Sequence, residues 1–261
     1  MIITASGTTG SIGRHLRNVK SLRARLTDDL KNFESEFKHF SSDTYIHLAA
    51  LTDIGEADEM KELSYAVNVF GAIKMMEAFA NSGGKRFILA STGHVYGLTK
   101  LGRISLETDI PFPISVYAMH KLFAERQLSD MSRKYGIELI IARIFSVFGP
   151  NMAKHYLASK VYGSAELPLE SGEFPMIKNG LDVRDFLSPS EVAETLNRLA
   201  ISKSLTKQVE IINICSGQGQ SLGEKIMKVV PRWPQNRIEK SNSNIPFLVG
   251  SVTKLRSILE G

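Results

Sequence analysis

Apolar residues along the chain follow two patterns, short continuous runs and longer stretches in which they recur at helical spacing. Short runs bounded by turn residues predict buried strands. They fall at residues 2–5, 44–51, 87–90, 138–144 and 209–214, and residues 21–26 alternate like a further strand. Helical spacing predicts helices over 12–19, 27–40, 63–80, 115–135, 156–161, 191–200 and 222–230. Strands that alternate with helices over about 150 residues predict an α/β fold with a doubly wound parallel sheet.

A glycine-rich turn follows the first predicted strand. Gly7, Gly10 and Gly13 stand at regular intervals, and residues 12–19 continue at helical spacing. Glycines allow the backbone to turn tightly and to approach a ligand pyrophosphate, and a helix N-terminus offers free N–H groups to that anion. We therefore predict dinucleotide binding here, with a glycine-rich turn that binds no ligand as the alternative.

The segment that follows departs from the usual dinucleotide-binding pattern. Such folds carry an acidic residue about 20 residues after the glycines, where it binds the adenosine ribose. No acidic residue stands in that role here, and Arg23 and Arg25 lie at the end of the strand predicted at 21–26. These arginines could hold a 2′-phosphate and so favour NADP, or they could belong to a solvated strand face.

Tyr117 and Lys121 lie four residues apart early in the helix predicted at 115–135. Because this spacing is just over one helical turn, the phenol and the ammonium project from the same face. A nearby cation favours the phenolate and lowers the tyrosine pKa, so that the phenol can exchange protons with an alcohol or a ketone. The spacing alone also fits an exposed amphipathic helix.

Four other polar positions fall on predicted elements. His47 lies inside a strand and is predicted to be a packed core residue, while Asn68 lies on a helix and could bond a neighbouring backbone. Ser91 and Thr92 end a strand, at the edge where ligands bind parallel sheets. Cys215 lies on a late strand and is predicted to be buried.

Composition excludes few classes of function. The 261 residues are 43% hydrophobic and 23% charged, and the net charge of +5 is spread along the chain, which suits an anionic ligand as well as nucleic acid. A single cysteine excludes an internal disulfide and a multi-cysteine metal site. Met1 leads into an apolar run without a charged leader, and no apolar run approaches about 18 residues. We therefore expect a soluble cytoplasmic protein with no metal, nucleic-acid or membrane partner.

Together these motifs resemble the extended short-chain dehydrogenase/reductase family, in its nucleotide-sugar epimerase/dehydratase branch. The matching motifs are Gly7-x-x-Gly10-x-x-Gly13, His47-Leu48-Ala49-Ala50, Asn68-Val69-Phe70-Gly71, Ser91-Thr92-Gly93-His94-Val95-Tyr96-Gly97, Tyr117-x-x-x-Lys121, the stretch from Arg143 to Pro150, Arg184-Asp185-Phe186 and Asn213-Ile214-Cys215-Ser216-Gly217. The resemblance implies a Rossmann domain for NAD(P) at 1–150. It also implies a mainly substrate-binding region at 151–261, of which about 182–215 returns to the first domain.

The resemblance also implies roles for matching positions. Tyr117 would be the general acid/base at a sugar hydroxyl or ketone, Lys121 would hold the nicotinamide ribose and lower the tyrosine pKa, and Thr92 would bond the same substrate oxygen. The positions expected to bind cofactor, besides Tyr117 and Lys121, are Gly7, Thr9, Gly10, Ser11, Ile12, Gly13, Arg23, Leu48, Ala49, Ala50, Asn68, Ala90 and Ile144. Those expected to bind substrate are Thr92, His94, Ser146 and Arg184.

Departures from the family pattern reduce the number of family reactions that we expect this protein to catalyse. Family 4,6-dehydratases carry Asp-Glu after the position of Thr92, whereas Gly93 and His94 stand here, so we do not expect dehydration. His94 could itself act as an acid or base. Ser146 and Ser251 replace a frequent asparagine and a frequent aspartate.

We therefore expect an NAD(P)-dependent oxidoreductase or epimerase acting at C4 of a nucleotide sugar for polysaccharide synthesis, with NAD or NADP as cofactor and a small preference for NADP. The alternative is a non-catalytic dinucleotide- or partner-binding protein with a degenerate cofactor site. A homodimer would form through the helices at 63–80 and 115–135. Its seam would be formed by Met75, Met76, Phe79 and Phe123, unless these residues belong to the core.

Overall fold

The computed structural model describes residues 1–22, 30–97, 102–166, 174–203, 205 and 207–260. The strands in this part of the chain are β1 Ile3–Ser6, β2 Val19–Ser21, β3 Thr44–His47, β4 Arg86–Thr92, β5 Glu138–Ile144, β6 Ser146–Val147, β7 Val183–Leu187, β8 Val209–Ile214, β9 Gly219–Ser221 and β10 Phe247–Leu248. The helices are α1 Leu30–Phe40, α2 Ile54–Glu59, α3 Lys61–Tyr65, α4 Gly71–Asn81, α5 Val116–Tyr135, α6 Leu157–Gly163, α7 Pro189–Ile201, α8 Leu222–Val229 and α9 Thr253–Glu260. No helix within the described ranges is long and apolar enough to cross a membrane.

Six parallel strands form the main sheet in the order β2-β1-β3-β4-β5-β8. The order reverses at β1, because the chain runs outward to β2 and then crosses back to β3 on the other side. In open α/β sheets, ligands bind beyond the carboxyl ends of the strands at such a reversal. The loops after β1 and β3 therefore border the expected ligand site.

Both faces of the main sheet are buried. Ile46, Ile88 and Ile140 are paired across β3, β4 and β5, and they pack with apolar residues of α7 and α9. The preceding residues of β3 and β4, Tyr45 and Phe87, point to the opposite face and pack with α1, α4 and α5. This two-sided burial confirms the doubly wound α/β fold that the sequence predicts.

A smaller sheet lies in the second half of the chain. Its strands run in the order β10-β7-β6, and β9 pairs antiparallel to β7. A separate apolar cluster that includes Phe148, Phe174 and Trp233 belongs to this region. α7 packs on the main sheet and β8 is its last strand. The predicted division into 1–150 and 151–261 stays a prediction.

The prediction of a helix at 12–19 is wrong. Gly13–His15 form a single 3-10 turn, Asn18 has a left-handed backbone with φ of 57°, and β2 begins at Val19. Ile12, Leu16 and Val19 nevertheless pack against the main core. The apolar spacing therefore reports burial correctly, although the segment is too short to make a helix and return to the sheet.

The neighbouring strand, predicted at 21–26, is found at Val19–Ser21. Arg23 and Arg25 lie outside the described residues, as does the helix start predicted at 27–29. The described part of α1 confirms the helix predicted up to Phe40.

The other elements follow the predictions with local shifts. β5 and β8 occupy the predicted residues. β3 ends at His47 rather than at residue 51, because the chain there leaves the sheet to contact the glycine turn. The helix predicted at 63–80 is interrupted by a π-helical turn at Ala66–Phe70, which carries Asn68.

Candidate active site

The glycine turn after β1 packs directly on the loop after β3. Gly7 has a left-handed φ of 66°, and a Cβ there would lie 2.9 Å from the backbone nitrogen of Ala49. A Cβ on Gly13 would lie 2.1 Å from the carbonyl oxygen of Gly7, so the turn closes only with glycine at both positions. Gly10 donates its N–H to the same oxygen at 3.0 Å, and among the described residues a Cβ there would meet only that oxygen within 4 Å. Gly10 is also exposed, so its backbone is accessible to a ligand.

Several of the predicted cofactor positions lie in this turn or in the loop after β3 that packs on it. Asn68 bonds both backbone groups of Leu51, since its Oδ1 accepts from the N–H and its Nδ2 donates to the carbonyl, each at 2.9 Å. The Ala49 N–H donates to Ser6 Oγ at 3.2 Å. Thr9 and Gly10 are exposed and Ile144 is buried; the half-buried positions are Ser11, Ile12, Leu48, Ala49, Ala50 and Ala90.

Thr92 and Tyr117 meet where β4 ends and α5 begins. Ser115 caps α5 by accepting the N–H of Ala118 at 3.2 Å, which places Tyr117 in the first helical turn. The hydroxyl of Thr92 lies close enough to the phenol of Tyr117 to lower its pKa. Both residues are buried. Two hydroxyl groups therefore converge at the carboxyl end of β4.

Lys121 lies one turn further along α5 and is only 2% exposed. Among the described residues, no acceptor hydrogen-bonds its ammonium. Burial lowers the pKa of Lys121 to about 8, and the carboxylate of Glu125 acts in the opposite direction. Burial of an ammonium is costly unless a partner or a ligand compensates its charge, so this group is suited to binding a polar ligand.

The electrostatics of Tyr117 differ from the prediction. Burial raises the pKa of its phenol above the ordinary value, Tyr156 raises it further, and the nearby hydroxyl of Thr92 lowers it. The net shift is therefore upward, opposite to the lowering expected from Lys121, because desolvation of the phenolate is the largest effect. The phenol is protonated at neutral pH and is suited to donating a proton.

A buried ion pair fixes α5 to the sheet. Glu125 accepts hydrogen bonds from Arg143 at 3.1 Å and 2.7 Å and from Ser91 Oγ at 2.5 Å. The guanidinium of Arg143 lies 4.8 Å from the ring centroid of Tyr96, whose hydroxyl donates to Asn213 at 2.6 Å. This network joins α5 to β4, β5 and β8, and so it holds the helix that carries the tyrosine and the lysine.

Two of the predicted substrate residues lie near each other beyond β4. Burial and the cation of Arg184 lower the pKa of His94 to about 4, so its imidazole is neutral at neutral pH. Arg184 donates to Asp182 at 2.7 Å, and burial lowers its pKa although Asp182 favours the charge. Ser146 lies on β6, opposite Phe186 of β7. Next to Thr92, the site thus has a cation and a neutral imidazole.

Tyr156 is a site residue that the sequence patterns do not indicate. Its hydroxyl bonds that of Thr52 in the loop after β3, and it lies close enough to Tyr117 to raise the pKa of that phenol. Tyr156 is half-buried and immediately precedes α6, which begins one residue later than predicted. It belongs to no motif, so only the fold brings it to the site.

The end of β2 lacks the acid that dinucleotide-binding folds carry there. Ser21 ends the strand, and its Oγ lies 2.6 Å from Thr8 Oγ1. The N–H of Leu22 donates to the carbonyl of Ala5 at 3.0 Å. Residues 12–22 contain no Asp or Glu, so this part of the site offers hydroxyls in place of a carboxylate.

These residues fit a nicotinamide dinucleotide. Gly10 in the glycine turn is exposed, and the ammonium of Lys121 lacks an acceptor among the described residues. The single 3-10 turn at Gly13–His15 gives a weaker dipole than the predicted full helix would, so the pyrophosphate would depend more on backbone N–H groups of the turn.

Comparison with known proteins identifies relatives. A model of the NAD dependent epimerase/dehydratase family matches residues 3–215. The chain is 28% identical over 194 residues to GDP-6-deoxy-D-mannose reductase of Pseudomonas aeruginosa, covering 70% of this chain and 61% of that protein. It is 26% identical over 212 residues to UDP-glucuronate 4-epimerase of Thermodesulfobacterium geofontis, covering 78% and 62%. The chain thus spans about three fifths of the length of these curated relatives.

Solved structures share the fold. UDP-glucose 4-epimerase of Thermus thermophilus, in complex with NAD, has a TM-score of 0.83 at 24% identity and covers 98% of this chain and 92% of its own. RMD from Pseudomonas aeruginosa, complexed with NADPH, has a TM-score of 0.82 at 21% identity and covers 100% and 93%. With the family model matched over most of its length, the chain belongs to the NAD dependent epimerase/dehydratase family, within the extended short-chain dehydrogenases/reductases.

Proposed function

We propose that this protein is an NAD(P)-dependent oxidoreductase that acts at C4 of a nucleoside-diphosphate sugar, by 4-keto reduction or by 4-epimerisation. The observation that carries the proposal is the convergence of the Thr92 and Tyr117 hydroxyls, with the buried ammonium of Lys121 one turn away. The relatives named above, a reductase and a 4-epimerase of nucleotide sugars, support this class of reaction.

The nicotinamide, when bound, supplies or accepts the hydride. A ketone that gains hydride develops negative charge on its oxygen, and Tyr117 donates a proton to that oxygen. Burial keeps the phenol protonated, which is the form that this direction requires. Thr92 is a second donor to the same oxygen. The positive charge of Lys121 stabilises the phenolate as it forms.

The cofactor would be held by the glycine turn, by the loop after β3 and by Lys121, and we propose a preference for NADP over NAD. Ser21 stands where a carboxylate would bind the ribose 2′-hydroxyl, so no negative charge there repels a 2′-phosphate. Arg23, predicted to bind that phosphate, lies two residues further on and outside the described residues.

The nucleotide sugar would be held by His94, Ser146 and Arg184, in line with the family resemblance. Arg184 can donate charge-assisted hydrogen bonds to the diphosphate. Gly93 and His94 stand where family dehydratases carry an acid and a base, which supports a reaction without loss of water.

A cytoplasmic homodimer is also part of the proposal, with a revised seam. The core contains the side chains of three α4 residues, Met75, Met76 and Phe79. This core position is the alternative that the sequence left open for them. Phe123 is 43% exposed. Exposed apolar residues on the same group of helices are Leu63, Phe70 and Met119. A monomeric mass by light scattering at micromolar concentration would contradict the dimer.

The test of the function is turnover of defined nucleotide sugars. The protein is incubated with UDP-glucose, UDP-glucuronate or a GDP-linked 4-keto-6-deoxy sugar, each with NAD(H) and with NADP(H), and the products are separated by chromatography. We expect turnover of at least one sugar, and a loss of about 100-fold or more in Tyr117→Phe. Full turnover by Tyr117→Phe would refute the assigned chemistry.

A second candidate is a non-catalytic dinucleotide- or partner-binding protein. The observation in its favour is the shortened cofactor region, in which one 3-10 turn replaces the first helix. Calorimetric titration with NADPH, NADH, NADP and NAD tests the first candidate, because the oxidoreductase must bind at least one of them, whereas a non-catalytic dinucleotide-binding protein would bind without turnover of any sugar. Failure to bind any of the four would favour the second candidate.

A further inference from the structure

The segment after the glycine turn lacks the helix that supplies positive charge to a dinucleotide pyrophosphate. In dinucleotide-binding folds the pyrophosphate lies at the N-terminus of a full helix, whose dipole carries about half a positive charge there. In this chain Gly13–His15 form a single 3-10 turn, and Leu16 returns to an extended backbone. A cofactor bound at this turn would therefore gain little from a helix dipole.

Arg14 is fixed to the glycine turn by two hydrogen bonds to one atom. Its backbone N–H and its side-chain Nε both donate to the carbonyl oxygen of Gly10, each at 3.2 Å. Both residues are exposed to solvent. Among the described residues, no acceptor bonds the two Nη atoms of Arg14 and no carboxylate forms an ion pair with it. The guanidinium is thus held at the turn with its outer N–H groups available to a ligand.

No acidic residue competes for this cation within its own segment. Residues 1–27 contain no Asp or Glu, while Arg14, Arg17 and Lys20 are exposed cations between the glycine turn and the end of β2. Within the described part of the chain, only Arg14 of these three has a side chain that hydrogen-bonds the glycine turn. An anion at Gly10 would therefore lie beside Arg14 and would meet no carboxylate from this segment.

We propose that Arg14 binds the pyrophosphate of the cofactor and supplies the positive charge that a full helix would otherwise provide. This inference rests on the proposed function. A guanidinium can donate two parallel hydrogen bonds to a phosphate, and such charge-assisted bonds are stronger than neutral ones. The Nε bond to Gly10 orients the guanidinium before the ligand arrives, so less side-chain freedom is lost on binding. NADH and NADPH both carry this pyrophosphate, whereas the 2′-phosphate is assigned to Arg23.

The test separates the charge of Arg14 from its hydrogen bond to the turn. In Arg14→Gln the amide nitrogen takes the position of Nε and can donate to the Gly10 carbonyl, but the charge is lost. Arg14→Lys keeps the charge and places a methylene at the position of Nε, so it lacks that bond. Arg17→Gln, at the exposed arginine three residues further on, is the matched control. Calorimetry measures the binding of NADH and of NADPH to each protein at low and at high salt.

Arg14→Gln should weaken the binding of NADH and of NADPH equally, by about 10-fold, and should reduce the loss of affinity that added salt causes. Arg14→Lys should keep most of the affinity, and Arg17→Gln all of it. Wild-type affinity in Arg14→Gln would overturn the inference, and a loss in Arg14→Lys alone would show that Arg14 only fixes the turn. A loss for NADPH alone would also overturn it, because Arg14 would then contact the 2′-phosphate. A wild-type protein that binds neither cofactor would contradict the proposed function as well.

Discussion

Replacing Lys121 with methionine is expected to stabilise the protein at neutral pH, although it removes a residue of the candidate site. Lys121 is 2% exposed, and burial lowers its pKa from 10.5 to about 8 even with Glu125 nearby. At about 1.4 kcal/mol per unit of pKa, keeping this lysine charged in the folded protein costs about 3 kcal/mol at neutral pH. Methionine fills a similar volume without a charge, so Lys121→Met should raise the free energy of unfolding by most of this amount.

The same pKa shift determines how the free energy of unfolding depends on pH. The pKa of Lys121 is lower in the folded protein than in the unfolded chain, so the unfolded chain binds more protons at pH values between about 8 and 10.5. Wild-type stability therefore rises with pH through this window. The advantage of Lys121→Met should be complete below pH 8 and should shrink as the pH approaches 10.5.

Urea unfolding at pH 7 and at about pH 9.5, without added cofactor, measures both effects. Lys134→Met, at an exposed lysine in the last turn of the same helix, is the matched control and should show no comparable dependence on pH. A Lys121→Met protein less stable than the wild type at pH 7 would refute the reasoning. So would a difference in stability that is the same at both pH values.

Three further predictions concern the residues around the site. Glu125→Gln leaves the guanidinium of Arg143 buried without its anionic partner and should lower the free energy of unfolding by about 3–5 kcal/mol in urea denaturation. The control is Arg133→Gln, which breaks an ion pair with Asp130 whose side chains are 62% and 79% exposed. It should have no measurable effect in the same assay. Gly13→Ala places a Cβ 2.1 Å from a carbonyl oxygen and should abolish cofactor binding in a titration. Gly163→Ala, whose Cβ meets no described atom within 4 Å, should bind as the wild type does. Cofactor affinity should fall as the pH rises through about 8, because Lys121 then loses its charge, and an affinity that rises between pH 7 and 9 would contradict its role.

The sheet was predictable because its strands are buried on both faces. Leu139 to Ile144 are apolar apart from Arg143, and such a run has no stable place other than the middle of a covered sheet. The first helix was not predictable, because Ile12, Leu16 and Val19 have helical spacing and are also the residues that an irregular segment buries. Apolar spacing reports which residues face the core, and the path of the backbone between them depends on how many residues are available.

The site was predictable where a motif carries it. Thr92 and Tyr117 meet as expected, since a strand end and a helix start that carry motif residues come together at one edge of the sheet. The pKa of Tyr117 was not predictable, because the largest cause of its shift is burial, which only the fold determines. Tyr156 was missed for a related reason, since its approach to Thr52 depends on how the second half of the chain folds over the first.

The most direct test of the central proposal follows the hydride itself. The protein is incubated with a nucleoside-diphosphate 4-keto sugar and with NADPH or NADH that is dideuterated at C4 of the nicotinamide, and the product is examined by mass spectrometry and NMR. Both the reductase and the epimerase require the same step at the ketone. We predict deuterium at C4 of the sugar with the wild type, and about 100-fold less of it with Tyr117→Phe. A wild-type protein that binds both ligands and transfers no deuterium to the sugar would contradict the account.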